Sequence, residues 1–222
     1  MDYEGFMELV RRRRSYWHFR SDPVSERDVE RIIDAARYAP SAFNSQPWEF
    51  VVISEPHVQE GIVDLVAEGM PAPPATGKTG AGAPAKDPLG FGTAPAFIMV
   101  LGDTRVRSFG PPHTRTDDKR WQDLLVSSLA AAYEHMHLAA VSLGLATRWV
   151  SAVAHAPIES KIKEFLGIPR EMMVYEMMAV GYSDFEPLPK RLRPLSQIVH
   201  SGICGEGDFR SDTEVAEYFQ NG

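Results

Sequence analysis

The stretch "APSAFNSQPWEFVVI", Ala39 to Ile53, joins an amphipathic helix pattern to an apolar run that reads as a buried strand. It carries Ser41, Asn44, Ser45 and Gln46 between Pro40 and Pro47, with Phe43 and Trp48 as an aromatic pair. Loops at such junctions are usually short pieces of turn chemistry. This one sets many small hydrogen-bonding groups in a proline-stiffened segment at the mouth of a sheet. Trp48 is expected to anchor the following strand in the core.

Working outward, residues 2–13 alternate Phe6, Leu9 and Val10 with charge and read as a short helix. "DPVSERDVERIIDAARYAP" reads as a stronger one, with Ser25 as N-cap, Asp28 three residues on, Val29, Ile32, Ile33 and Ala36 at helical spacing, and Pro40 as the stop. After the strand "WEFVVIS", "PHVQEGIVDLVAEG" is a further helix pattern. Residues 69–92 are dominated by Pro, Gly and Ala without period and read as a long insertion. "PAFIMVLGD" reads as a buried strand. "RWQDLLVSSLAAAYEHMHLAAVSLGLA" is the longest helix, its Ala and Ser content suiting a central element ended by Gly144. "TRWVSAV" is a short strand, "APIESKIKEFLGIP" a helix closed by Gly167, and "MMVYEMMAVGY" the last core strand. Helices come first and strands mix with helices afterwards, so the fold class is α+β. Residues 1–200 read as one domain and 201–222 as a polar C-terminal extension that reaches across a surface or a partner subunit.

The 222 residues are 44% hydrophobic and 24% charged, an ordinary globular composition able to bury a sizeable core. A formal charge of −7 argues against a nucleic-acid or anionic-membrane surface. Cys204 is the sole cysteine, so no internal disulfide forms, and a cytoplasmic location is expected. The N-terminus lacks the apolar core of a secretory signal, and no window approaches a membrane span.

Several apparent motifs fail on spacing. "GKT" at Gly77–Thr79 lacks the first glycine of a phosphate loop, because position 72 is alanine and prolines flank the segment. "GAGAPA" places Pro84 where a dinucleotide-binding helix should begin. His135 and His137 are two apart on a helix and point to different faces, so no metal is expected there. Neither a G-x-S-x-G elbow nor a base near Cys204 supports nucleophilic catalysis.

Two basic clusters lie far apart in the chain, "RRRRSYWHF" (Arg11–Phe19) and "PKRLRPL" (Pro189–Leu195). Guanidinium forks match phosphate oxygens, and Ser15 adds a neutral donor; a solvated charged face is the plainer alternative. Taken with "RRS" (Arg13–Ser15) and Phe19, "PSAFNSQPWEF" (Pro40–Phe50), "LGLATRWV" (Leu143–Val150) and "KRLRPL", the chain resembles the nitroreductase-like family of FMN-dependent oxidoreductases. The likeness runs in order over most of residues 5–200.

The resemblance implies a sandwich with a central mixed or antiparallel sheet flanked by helices, built as an intertwined homodimer holding FMN at the subunit interface. It implies phosphate and ribityl contacts from Arg13, Arg14 and Ser15, and a late basic pair, Arg191 and Arg193, closing on the same phosphate. Pro40, Ser41, Ala42 and Asn44 match the loop lining the flavin, and Ser151 and Ala152 match backbone donors to the N5 and O4 edge. A flat ring with apolar faces and a polar rim needs short, fixed donors between packing groups, which accounts for the composition of the opening loop. The implied reaction is ping-pong: NADH or NADPH gives a hydride through flavin N5, and a small oxidised acceptor such as a nitroaromatic or quinone collects the electrons, with no protein nucleophile.

One position departs from the family. Where Arg or Lys usually follows "RRS" after one variable residue, to reach the N1–O2 edge of the ring, this chain has Trp17. Arg148, or Lys78 or Lys86 of the insertion, could supply the missing charge; Arg148 is expected to do so, against the alternative of a surface ion pair. The insertion reads either as a lid over the flavin face or as a surface loop. Competing functions are a dehydrogenase, dehalogenase or flavin-consuming enzyme on the same scaffold, an FMN-binding protein without turnover, and a non-flavin phosphate binder.

Overall fold

A computed structural model describes residues 2–70, 87, 89–187 and 189–220. Four strands, β1 (Trp48–Ile53), β2 (Ala96–Asp103), β3 (Ala146–Val150) and β4 (Met172–Gly181), form one sheet in the order β1-β2-β4-β3. All three pairings are antiparallel, with Trp48 opposite Gly102, Ala96 opposite Val180 and Val150 opposite Met177. Val100 faces Glu176 while Leu101 faces Val174, so Tyr175 is the extra residue of a bulge. Seven helices complete the described residues: α1 (Tyr3–Arg12), α2 (Glu26–Arg37), α3 (Pro56–Gly69), α4 (Pro112–Arg115), α5 (Asp118–Ser142), α6 (Ala156–Leu166) and α7 (Asp212–Gln220).

The alternation of side chains along a strand splits the core in two. From β2 and β4, Ile98, Val100, Met178 and Val180 join Ile32 of α2 and Leu125, Leu129 and Met136 of α5. Phe97, Met99, Met177 and Ala179 point the other way, to Ile62 and Val66 of α3 and Ile158 and Ile162 of α6. Both central strands are therefore covered on both faces, which is why "AFIMVL" carries no polar residue. Trp48, the first residue of β1, is buried in the α2/α5 layer.

Local chemistry sets the helix ends. The Ser25 hydroxyl caps α2 by accepting from the amide of Asp28 at 3.1 Å, and it is oriented by donating to that residue's carboxylate at 2.7 Å. Gly144, at φ +76°, turns the chain out of α5, and Gly167, at φ +67°, ends α6; side chains other than glycine rarely accept such angles. By length and composition α5 could cross a membrane, but half of that window is buried inside the fold, where it serves as the core helix.

The chain divides into two compact units, Met1–Glu186 and Pro187–Gly222. The first holds the sheet and helices α1–α6. The second consists of 3-10 turns at Leu195–Gln197 and Glu206–Asp208 followed by α7. Its own turns and helix bury none of its larger apolar side chains, among them Leu195, Ile203, Phe209 and Phe219. Most of the insertion at 69–92, with Lys78 and Lys86, lies outside the described residues.

Candidate functional site

The free edge of β3 organises the first unit's chemistry. After α1 ends, the chain runs parallel to β3: Ser15 bridges Thr147, and the Tyr16 amide donates to the Thr147 carbonyl at 3.0 Å. This brings "RRSYW" against "TRWVSA", 130 residues later in the chain. Arg14 turns back on the helix end, donating to the carbonyls of Arg11 and Arg13. Arg13 stays partly exposed, 3.9 Å from Glu134 of α5, a separation that leaves its fork able to take another anion.

On β3 the side chains alternate. Thr147 and Trp149 face α5, whereas Arg148 faces the layer of α3 and α6. Arg148 is buried rather than on the surface. Its guanidinium carbon lies 3.2 Å from the centroid of the Trp17 ring. Desolvation pushes its pKa down to about 10, opposed by the carboxylate of Asp87. Its Nε has no hydrogen-bond partner among the described residues. Asp87 is itself buried, with Oδ2 accepting from the Gly92 amide at 2.6 Å and Oδ1 without a partner among the described residues. Gly90, at φ +63°, approaches Trp17 so closely that a Cβ would come within 2.9 Å of the Trp17 carbonyl oxygen. Trp17 thus contributes no charge; it is a surface on which a buried cation rests.

Below β3 the chain enters a 3-10 turn, Ser151–Ala154, whose first amides have no carbonyl within the turn to meet. Ser151 is exposed and Ala152 buried. With Arg148 and His155 they border a cavity of about 110 Å³ whose apolar wall includes Met70 and Leu89. Arg13, Ser15, Trp17, Arg148, Ser151 and Ala152 therefore gather at one edge of the sheet.

The opening loop is elsewhere. It leads into β1, the opposite edge, with β4 and β2 between; at the usual strand spacing the two edges are about 14 Å apart. Phe43, Asn44 and Gln46 have φ of 58°, 53° and 44°, left-handed backbone that non-glycine residues adopt at a cost and that concentrates at functional sites. Part of the loop's polarity maintains this shape: the Ser41 hydroxyl accepts from the Gln46 amide at 3.0 Å, and the Asn44 side-chain oxygen accepts from the Gln46 side-chain amide at 3.2 Å. The Ala42 amide donates to Ser128 of α5 at 3.0 Å. Pro40 and Asn44 are exposed.

Arg191 and Arg193 belong to the second unit. Arg191 donates to the Tyr218 carbonyl at 3.2 Å and stacks 4.4 Å from the Tyr218 ring. Arg193 donates to the Gln197 carbonyl, and its Nε has no partner among the described residues. With Arg210 they line a cavity of about 500 Å³ within this unit, which also carries Asp208 and Glu214.

A group that sequence reasoning missed lies on the α5 face of β3. His137 stacks parallel to Trp149 (5.4 Å, 9°) and its Nδ1 is 2.8 Å from the Thr147 hydroxyl. Tyr133 meets Trp149 edge-on at 4.4 Å. Burial, aided by the charge of Arg13, lowers the His137 pKa to about 3. Burial raises that of Glu176 to about 7, which the Trp149 indole N–H directed at it partly reverses. Tyr133 Oη, His137 Nε2 and Glu176 Oε2 lack hydrogen-bond partners among the described residues. The signal was the alternation of "TRWV", which puts Trp149 on the face of His137. His135 diverges from His137 as expected, meeting the Ala35 carbonyl at 3.2 Å. Among the described residues no group of three metal-ligating side chains occurs.

The chain is similar to known proteins. The model of the nitroreductase family matches residues 10–182. An NADH dehydrogenase of Thermus thermophilus is 27% identical over 209 residues, covering 85% of this chain and 91% of its own. A 5,6-dimethylbenzimidazole synthase of Rhodospirillum rubrum is 28% identical over 194 residues, covering 84% and 86%. The solved structure of an FMN-dependent nitroreductase from Clostridium difficile superposes with a TM-score of 0.66 at 21% identity, over 89% of this chain and 99% of that one.

Proposed function

The chain belongs to the nitroreductase family, and we propose that it is an FMN-dependent NAD(P)H oxidoreductase acting as a homodimer on small oxidised acceptors such as nitroaromatics or quinones. The observation that carries the reading is the gathering, at the β3 edge, of a partly exposed arginine, an exposed serine, a buried arginine whose Nε has no partner among the described residues, and the first amides of a 3-10 turn, which meet no carbonyl within that turn. These donors suit a ligand with a phosphate at one end and a polar-rimmed ring at the other, so the residues fit FMN. Bound there, FMN supplies a ring nitrogen that accepts a hydride from the nicotinamide and passes it on.

The chain's own residues bind, orient and stabilise. Arg13 and Ser15 hold the phosphate and ribityl end, and Arg14 rigidifies the helix end that presents them. The resemblance would add Arg191 and Arg193, late in the chain, as further charge for the phosphate. The amides of Ser151 and Ala152 would hold the polar edge of the ring in place. Arg148, desolvated and seated on Trp17, gives the positive charge that the tryptophan cannot, opposite the electron-rich edge of the ring.

The strand order supports the dimer. Pro40, Ser41, Ala42 and Asn44 lead into β1, which is three strand spacings, about 14 Å, from β3 in the same sheet, so a second copy related by a two-fold axis would carry this loop to a β3 edge. The second unit, with no core of its own, suits a segment that packs on a partner, and the exposed Cys204 suits a cytoplasmic location. The test is direct. Purified protein should be yellow, NADH or NADPH should bleach it without oxygen, and a quinone or nitroaromatic should restore the colour. Colourless protein that takes up no FMN would refute the proposal; yellow protein that no nicotinamide bleaches would leave only binding.

A further inference from the structure

Trp149 combines two properties that rarely coincide. Its side chain is 37% exposed, yet it is fixed on three sides, by His137 beneath, Tyr133 at its edge and Glu176 toward its N–H. His137 is pinned in turn by the Thr147 hydroxyl at 2.8 Å. Exposing an indole forfeits hydrophobic stabilisation. Its support also leaves Tyr133 Oη, His137 Nε2 and Glu176 Oε2 buried without partners among the described residues, a second cost. A fold that bears both costs at one spot has a use for an aromatic face held in one orientation.

We propose that Trp149 is a preformed stacking platform for one face of the flavin ring, with His137, Tyr133 and Glu176 as its positioning residues. The inference rests on the flavin reading above and adds to it a residue for the ring face, where the amides of Ser151 and Ala152 serve only the rim. Trp149 sits two residues before Ser151 and beside the segment that follows Ser15, so a ring held by those amides has this indole as its nearest aromatic neighbour in the strand. An electron-rich indole and an electron-poor isoalloxazine are complementary partners for offset stacking. One ring face is then covered by protein, and the other is left for the nicotinamide and the acceptor in turn.

The full-length protein loaded with FMN tests this through flavin fluorescence and affinity. An indole in contact quenches an excited flavin by electron transfer, so FMN on the wild-type protein should be dark. Trp149→Phe should restore emission several-fold while its Kd stays within about threefold of wild type. Trp149→Ala should weaken FMN binding by about two- to tenfold, the range of one aromatic stack. Emission from Trp149→Phe as low as wild type, with an unchanged Kd in Trp149→Ala, would overturn the proposal while leaving the flavin reading intact. Dissociation of the dimer by Trp149→Ala with FMN emission unaltered would overturn it too, assigning the exposed face to a second copy of the chain. If wild-type protein takes up no FMN, both readings fall.

Discussion

His137 and Glu176 flank the same tryptophan and titrate in opposite senses, which makes the pH dependence of stability a sharp test of the cluster. His137 is neutral in the fold, its pKa carried from 6.5 to about 3 by burial and by Arg13. The unfolded chain then binds more protons at this residue between those values, so its contribution is fully present above about pH 6.5 and is lost as pH falls toward 3. Glu176 is raised from 4.5 to about 7 by burial. Here the folded state binds the extra proton, so stability is lost as pH rises from about 4.5 to 7. Each group fully coupled contributes about 1.36 kcal/mol per pH unit with opposite sign, and between pH 5 and 6.5 the two largely cancel.

Glu176→Gln removes the falling component. Relative to wild type, its unfolding free energy should then gain from pH 5 to 6.5, by about 0.8 kcal/mol after halving the roughly 1.5 kcal/mol of full coupling for a carboxylate that is only partly buried. His137→Gln, which can still bond Thr147, should drift the other way by about 1.5 kcal/mol over the same interval. Urea titrations followed by circular dichroism at four pH values give these differences directly, and groups common to all three proteins drop out. Parallel pH profiles for the three proteins would refute the burial and protonation states assigned to this cluster.

Arg148→Ala should lower the midpoint potential of bound FMN by about 30 mV, equal to about 1.4 kcal/mol for a two-electron couple, as read by dye-linked titration; an unchanged potential would count against its role at the ring edge. Leu129→Ala, in the centre of the α2/α5 layer with no exposure, should destabilise the fold by about 3–5 kcal/mol in urea unfolding. Homodimers of Arg148→Ala and of Asn44→Ala should each be impaired at both sites. Co-refolding equal amounts should give about half heterodimers with one intact site each, restoring about a quarter of wild-type activity beyond the sum of the parts if the loop serves the partner's β3 edge.

What could be read from the sequence were properties set within a few residues. Ser25 with Asp28 caps α2 because the bonds span three positions, and "AFIMVL" reads as a doubly covered strand because burial on both faces leaves no room for polarity. Helix α4 and the 3-10 turns were not legible, since a turn of three or four residues has no period, and α7 follows a tail whose polarity masks its single helix. The left-handed angles at Phe43, Asn44 and Gln46 were hidden as well, because none is a glycine and the hydrogen bonds that hold them close only in three dimensions. Trp17 was legible as a missing charge but not as a support. Its meeting with Arg148 depends on which face of β3 the arginine takes and on Gly90 arriving from the far side of the insertion. Strand order is the least local property of all. The motifs at residues 13–15, 40–44 and 147–152 read in sequence as one binding signature, yet the order β1-β2-β4-β3 assigns the middle one to the opposite edge of its own sheet. If the three motifs serve one cofactor, as proposed, a signature divided in this way requires the loop of a second chain, in line with the subunit-interface site that the resemblance implies.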